Sequence, residues 1–146
     1  MEQFDIVGQL YRNAKANGWV FLAGDDYHQN VEATKSDYAP NQLVLGVKLD
    51  ANPITIHNGV ITEIRYTGVI RLGLKVDNDG TYAGLDELFM DKYTKRMLML
   101  TRLLSEFVGA FACENKLEVS NYGTAMDLYR TDEAIDFVEG MVTFVQ

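Results

Sequence analysis

The spacing of apolar residues near the start of the chain predicts a short helix followed by a strand. Between residues 2 and 16, apolar side chains recur at intervals of three and four, as on one face of an amphipathic helix. They are Phe4, Val7, Leu10, Tyr11 and Ala14. Asn17-Gly18 predicts the end of this helix, because both residues suit a left-handed C-cap. The apolar run 19–23 then predicts a short strand.

The next segment, 24–41, is mostly polar and contains Gly and Pro, so it predicts a long loop. A loop of this length in a compact domain is often functional or mobile. Strict alternation of Leu and Val follows in 42–50 and predicts a half-buried strand. The residues Ala-Asn-Pro at 51–53 predict that this strand breaks there.

Asn58-Gly59 carries the strongest hairpin signal in the chain. It lies between the β-favouring runs 54–57 and 60–76, and Asn-Gly favours a type I′ turn. Alternate residues of the second arm are apolar and predict its buried face. They are Ile64, Tyr66, Ile70, Leu72, Leu74 and Val76. Gly68 or Gly73 is expected to mark a bulge or a bend in so long a strand.

A long helix is predicted over 85–115, after a turn at 77–80. Its apolar stripe has helical spacing. The stripe consists of Leu85, Phe89, Tyr93, Met97, Leu100, Leu104, Phe107 and Phe111, widened by Leu88, Leu103, Val108 and Ala110. Met90, Leu98 and Met99 do not all fit on this stripe, so some of them are expected at the surface, where an apolar patch often marks an interface.

The chain closes with three predicted strands, at 116–119, 125–130 and 134–145, with a turn at 131–133 between the last two. The order of elements predicts a single α+β domain, 1–146. Its sheet is expected to be mainly antiparallel and packed by the long helix and the short N-terminal helix.

The last strand is apolar on both of its faces. One face carries Val138, Gly140, Val142 and Phe144, and the other carries Phe137, Met141 and Val145. Such a strand is either central in a covered sheet or packed against another subunit. The first arrangement is a plain two-layer protein with helices on both sides, and the second is a protomer of an assembly. On the second interpretation the candidate interface residues are Met90, Met99, Phe137, Met141, Val142, Phe144 and Val145.

The composition and net charge argue against some classes of binding partner. The chain has 146 residues, a net charge of −8 and a pI of about 4.6. This acidity argues against a Lys/Arg-based nucleic-acid surface and against docking on anionic membranes. The start of the chain lacks the features of a signal peptide, and its longest apolar run, MLML, is far too short to span a bilayer. The single cysteine excludes an internal disulfide.

The sequence contains little evidence for a catalytic, metal-binding or phosphate-binding site. Cys113 has no adjacent positive charge to activate it and is expected to be inert and buried. Asp25, Asp26 and His28 could bind a divalent metal, but their spacing matches no established site, and a solvated loop is preferred. The segment 77–80 fails the EF-hand pattern, and no phosphate-binding glycine loop occurs. The sequence predicts no catalytic, cofactor or metal site, although a small enzyme or ligand-binding domain using the 24–41 loop is an alternative.

The layout resembles the small tail-completion, or tail-terminator, proteins of tailed bacteriophages and prophages, also described as head-tail joining proteins. The resemblance covers the order of elements along the whole chain and includes no signature motif. It is carried by FDIVGQLYRNAKANGWVF, LVLGVKLD, RYTGVIRLGLKVD, the helix 85–115 and the closing AIDFVEGMVTFVQ. The segments DDYHQNVEATKSDY and NPITIHNG have no counterpart in it.

This resemblance implies a non-enzymatic virion protein, made in the cytoplasm of a bacterial host. Such proteins form a ring, commonly a hexamer, at the head-proximal end of the tail. The ring stops growth of the tail tube and receives the neck or connector, and DNA passes through it without specific contacts. Acidic walls that repel DNA suit this role. The competing interpretation is an acidic, dimeric secretion-type chaperone or another small protein-binding module.

Overall fold

The computed structural model describes residues 4–24, 42–75, 94–130 and 135–146, apart from the side chains of 51, 52, 75, 126–130 and 135. Two helices and five strands lie in these ranges. In chain order they are α1 (Ile6–Ala16), β1 (Val20–Ala23), β2 (Leu43–His57), β3 (Val60–Lys75), α2 (Leu98–Glu114), β4 (Glu118–Arg130) and β5 (Ile135–Val145). The predicted α+β class is confirmed.

The five described strands form one sheet in the order β1-β2-β3-β5-β4. β1 pairs with β2 in parallel, and the other three pairings are antiparallel, so the mainly antiparallel prediction is also confirmed. β5 lies between β3 and β4. The strand that closes the chain is therefore central in the sheet, where ladder hydrogen bonds hold it on both sides.

Both helices pack on the same face of the sheet and enclose one main core. This core contains the described part of the predicted apolar face of β3, the helix-facing side chains of β5 and most of the described stripe residues of α1 and α2. Two stripe residues were wrongly predicted as buried, since Tyr11 is 46% exposed and Ala110 is also exposed. Its largest fully buried side chains include Tyr66, Phe111 and Phe144. The helix α2 comes close to the sheet at Gly140, where an added Cβ would lie 3.2 Å from Leu104 Cδ2.

Local signals explain where the two helices begin and end. Asp5 is the N-cap of α1, and its carboxylate accepts a hydrogen bond from the N–H of Gly8 at 3.0 Å. The predicted stop is correct, since Asn17 is the C-cap and Gly18 has a φ of +74°. α2 follows a turn of π-helix at 94–97 and ends at its C-cap, Asn115. The predicted N-terminal part of this helix, 85–93, lies outside the described residues.

The β2–β3 hairpin is longer than the sequence pattern predicts. Asn58 and Gly59 have φ values of +51° and +76°, as the type I′ turn requires. The predicted break at 51–53 is wrong, because β2 continues through it and absorbs the irregularity as a register shift between Ala51 and Ile54. Gly68 marks no bulge. It marks a close approach instead, since a Cβ there would collide with the carbonyl oxygen of Lys48.

The fourth strand also differs from its prediction. The separate strands predicted at 116–119 and 125–130 form one strand, β4, which includes the polar residues between them. Ser120, Asn121 and Thr124 are exposed there. Among the described strands only β5 pairs with β4, so β4 is an edge of the described sheet, and exposed polar side chains occur on both of its faces.

Candidate interaction surfaces

The predicted reactive groups do not form a site within the described ranges. No group of three His, Cys, Asp or Glu side chains is placed there to hold a metal ion. Asp25, Asp26 and His28 lie outside the described residues. Cys113 is exposed, so its predicted burial is wrong, and His57 is an exposed hairpin residue paired with Val60.

Four of the predicted interface residues belong to the interior of the protomer. Val142 and Phe144 face the helices and are 2% and 0% exposed. Phe137 is buried on the opposite face in a small second core with Leu22 and Val44, and Val145 is also buried. Val142 and Phe144 are covered by the main core beneath the helices and Phe137 by the second core, so these side chains do not form a surface that a partner could contact.

Two of the methionines predicted at the interface are exposed, unlike the four buried residues. Met99 is 42% exposed on α2, beside the exposed Leu98, and Met141 is 67% exposed on the sheet face opposite the helices. Met141 pairs with Val69 on one side and Gly123 on the other, in a row that continues to the exposed Lys48. Met90 lies outside the described residues.

The end of the β2–β3 hairpin, residues 53–63, forms a ribbon that extends beyond the rest of the described sheet. Pairing of β3 with β5 ends at Arg65, and the last bond on that side runs from the N–H of Gln146 to the carbonyl oxygen of Ile64. The ribbon carries Ile54, Ile56 and Val60 at 42%, 64% and 54% exposure. It is therefore a two-stranded projection in water that carries three exposed apolar side chains.

A cleft lies between the C-terminal half of α1 and the outer side of α2, with a volume of about 370 Å³. Its described lining consists of Asn13, Ala16, Asn17, Trp19, Leu103, Glu106, Phe107, Ala110, Phe111 and Glu114. Trp19 and Phe107 form its aromatic floor, with ring centroids 5.1 Å apart. Glu106 and Glu114 are exposed at its rim.

No family model, curated protein or solved structure matches this chain. The surfaces of the protein are therefore the basis for assigning its function. Within the described part of the chain, no helix combines the length and apolar character that a membrane span requires.

Two largely buried ion pairs connect secondary-structure elements of the described fold. Arg71 contacts Glu139 across β3 and β5 at 2.8 Å, and Arg96 contacts Asp136 at 2.8 Å, joining the turn before α2 to β5. Arg71 and Asp136 are 5% and 2% exposed. Such pairs fix relative positions, because removing one partner would leave a charge poorly solvated.

Two tyrosines, Tyr66 and Tyr122, have raised pKa values because their side chains are buried. Burial raises the pKa of Tyr66, against the smaller opposing effect of its hydrogen bond with the backbone of Phe4. Burial likewise raises the pKa of Tyr122, whose hydroxyl lies 3.0 Å from Ser105 Oγ. Both groups join distant segments, and neither faces a second reactive side chain in these contacts.

The ribbon and the cleft were not identified from the sequence. Ile54 and Ile56 alternate next to the Asn-Gly turn, which is a signal for an exposed hairpin face, but only the end of β5 at Val145 shows that the ribbon projects. The cleft has no linear signal, because Trp19 and Phe107 are separated by most of the chain and meet only when α1 and α2 pack side by side.

Proposed function

We propose that this protein is a non-enzymatic structural component of a tailed-phage or prophage virion. It self-associates into a ring at the head-proximal end of the tail, where it terminates the tail tube and receives the neck or connector. The ring has six copies if it follows the proteins that the chain resembles. The observation that carries this proposal is the projecting ribbon with its exposed isoleucines.

The ribbon favours a role in assembly for an energetic reason. A two-stranded hairpin in water is marginally stable by itself. Burying Ile54, Ile56 and Val60 against a neighbour would remove apolar surface from water, at about 25 cal/mol for each Å². A ribbon that projects from one copy and docks on a different surface of the next copy makes a head-to-tail contact, and such contacts close into rings when the rotation permits.

Two further features support the same proposal. The order of a short helix, a strand meander, a long helix and two closing strands is the order implied by the resemblance. The exposed Met141, on the open and otherwise mainly polar face of the sheet, is a second position that the tube or the neck could contact. The net charge of −8 suits a ring through which DNA passes without being held.

Native mass spectrometry and negative-stain electron microscopy over a range of concentrations test this proposal. We expect rings to appear as concentration rises. Ile56→Asp should abolish them while leaving the fold intact, because the 64% exposed side chain makes few contacts within the protomer. Gly109→Asp adds the same charge on α2, where the site has open space, and should assemble normally.

Other outcomes contradict the ring. A stable dimer at every concentration would instead support a secretion-type chaperone. A monomer at every concentration, together with a gene that has no capsid, portal or tape-measure genes beside it, would also exclude the proposed role. Rings formed equally well by Ile56→Asp would show that the ribbon is not the contact.

A further inference from the structure

The cleft between α1 and α2 combines an apolar floor with a negative rim. Trp19 is half-buried, so part of its ring is open to an incoming side chain, whereas Phe107 and Phe111 are 8% and 1% exposed and support that ring from beneath. The rings of Phe107 and Phe111 lie almost parallel, 6.3 Å apart. Aromatic faces of this kind accept both apolar groups and cations.

The two charged residues of the described lining are both acidic. Glu106 and Glu114 belong to the lining, and no Lys or Arg occurs among its described members. The cleft also contains the last residues of α1 and α2, Ala16 and Glu114, and the C-terminal end of a helix carries partial negative charge. Lys15, in the last turn of α1, points elsewhere and stacks over the ring of Tyr11 at 5.7 Å.

One of the two glutamates has a basic partner within the chain. Glu106 contacts Arg102 at 3.1 Å, one helical turn away, and these side chains are 61% and 81% exposed. A surface pair of this kind contributes little and exchanges readily with an incoming cation. Glu114 lies eight positions after Glu106, which is about 12 Å along the helix, and the small Ala110 is midway between them.

We infer that this cleft binds a basic amphipathic segment of a partner protein. The segment places an apolar side chain over Trp19 and Phe107 and two Lys or Arg side chains, about 12 Å apart, at the two glutamates. In a helix this spacing corresponds to basic residues about eight positions apart. The inference does not depend on ring formation, since the cleft lies on the helical layer and the ribbon extends from the sheet.

The chain contains a single tryptophan, Trp19, so its fluorescence reports on this cleft alone. The probe is a helical peptide with two Arg eight positions apart, Leu between them and neutral polar residues elsewhere. A second peptide carries Glu in place of both Arg. We expect saturable change of Trp19 emission with the Arg peptide, weakened by salt, and none with the Glu peptide.

Matched variants distinguish an effect of charge at the cleft from an effect of the net charge of the protein. Combined Glu106→Gln and Glu114→Gln should weaken binding of the Arg peptide by roughly tenfold, since two surface ion pairs are lost. Glu118→Gln combined with Asp50→Asn removes the same number of charges from exposed strand sites outside the cleft and should bind as the wild type does. Circular dichroism spectra should be the same for all three proteins.

Three results would overturn the inference. They are an unchanged Trp19 emission at high concentrations of the Arg peptide, equal effects of both peptides, and full affinity in the Glu106/Glu114 double variant. Ring formation is measured by mass and by microscopy, so a failure of the ring proposal leaves these fluorescence results interpretable, and the reverse also holds.

Discussion

Neighbouring residues of β5 have opposite environments although both are apolar. Met141 is 67% exposed on the open face of the sheet, and Val142 is 2% exposed beneath the helices. The alternation of a strand produces this difference, because successive side chains point to opposite faces. The two positions therefore separate an effect on the core from an effect on the surface at almost the same place in the chain.

Val142→Asp should prevent stable folding, since a carboxylate buried without a partner costs several kcal/mol in a domain whose total stability is about 5–15 kcal/mol. Met141→Asp should change the free energy of unfolding by no more than about 0.5 kcal/mol. Urea denaturation followed by circular dichroism measures both. A folded Val142→Asp protein would show that β5 is not a buried central strand.

Among the elements, the β2–β3 hairpin differs most from the rest of the fold. Its inner part lies in the sheet and contributes Val47, Ile64 and Tyr66 to the main core. Its outer part, the ribbon, is held by the Asn58-Gly59 turn and by its own cross-strand pairs, such as Ile56 with Ile61. The ribbon should consequently open independently of the core.

Gly59→Ala should loosen the ribbon without unfolding the protein. Gly59 has a φ of +76°, and a Cβ in the left-handed region costs about 1–2 kcal/mol. Amide hydrogen exchange should become roughly tenfold faster at the ribbon and stay unchanged in β3 from 66 to 72. Gly123→Ala, at an exposed strand position with open space, is the control and should alter neither region. Faster exchange throughout the sheet would mean that the ribbon and the core unfold together.

In the molecule as a whole, Tyr66 joins segments from both ends of the chain to the middle of the sheet. Its hydroxyl accepts a hydrogen bond from the N–H of Phe4 at 3.1 Å and donates one to Gln146 Oε1 at 2.9 Å. The ring itself is 1% exposed. One side chain thus connects the residues before α1, the centre of β3 and the residue after β5.

The raised pKa of Tyr66 makes this junction sensitive to alkali. Its stabilising contribution is fully present below the ordinary tyrosine pKa of 10.0 and is lost as pH rises through the higher pKa of the folded state. Tyr66→Phe should cost about 1 kcal/mol at neutral pH, through loss of the hydrogen bonds, and should lose less stability above pH 10. Free energies of unfolding at a series of pH values measure this difference. Parallel pH profiles for the two proteins would rule out Tyr66 as a source of alkaline sensitivity.

Hydrophobic periodicity in the sequence was sufficient to predict α1, the described part of the long helix and the helix-facing sides of β3 and β5. The residue pair Asn58-Gly59 was sufficient to predict the turn. Each of these depends on residues within a few positions of one another, so the alternation or the helical stripe is visible in one segment. Pro53 and the polar residues 120–124 misled the prediction because their strands are completed by partners. β3 supports β2 across the register shift, and β5 supports β4 through its polar middle.

The remaining features depend on which elements become neighbours. Whether an apolar residue of β5 is core or surface follows from which face of the sheet the helices cover, and this packing joins segments that are far apart in the chain. The exposure of Cys113, the projection of the ribbon and the cleft at Trp19 have the same origin. Local patterns select helix, strand and turn, whereas long-range packing selects which faces remain in water.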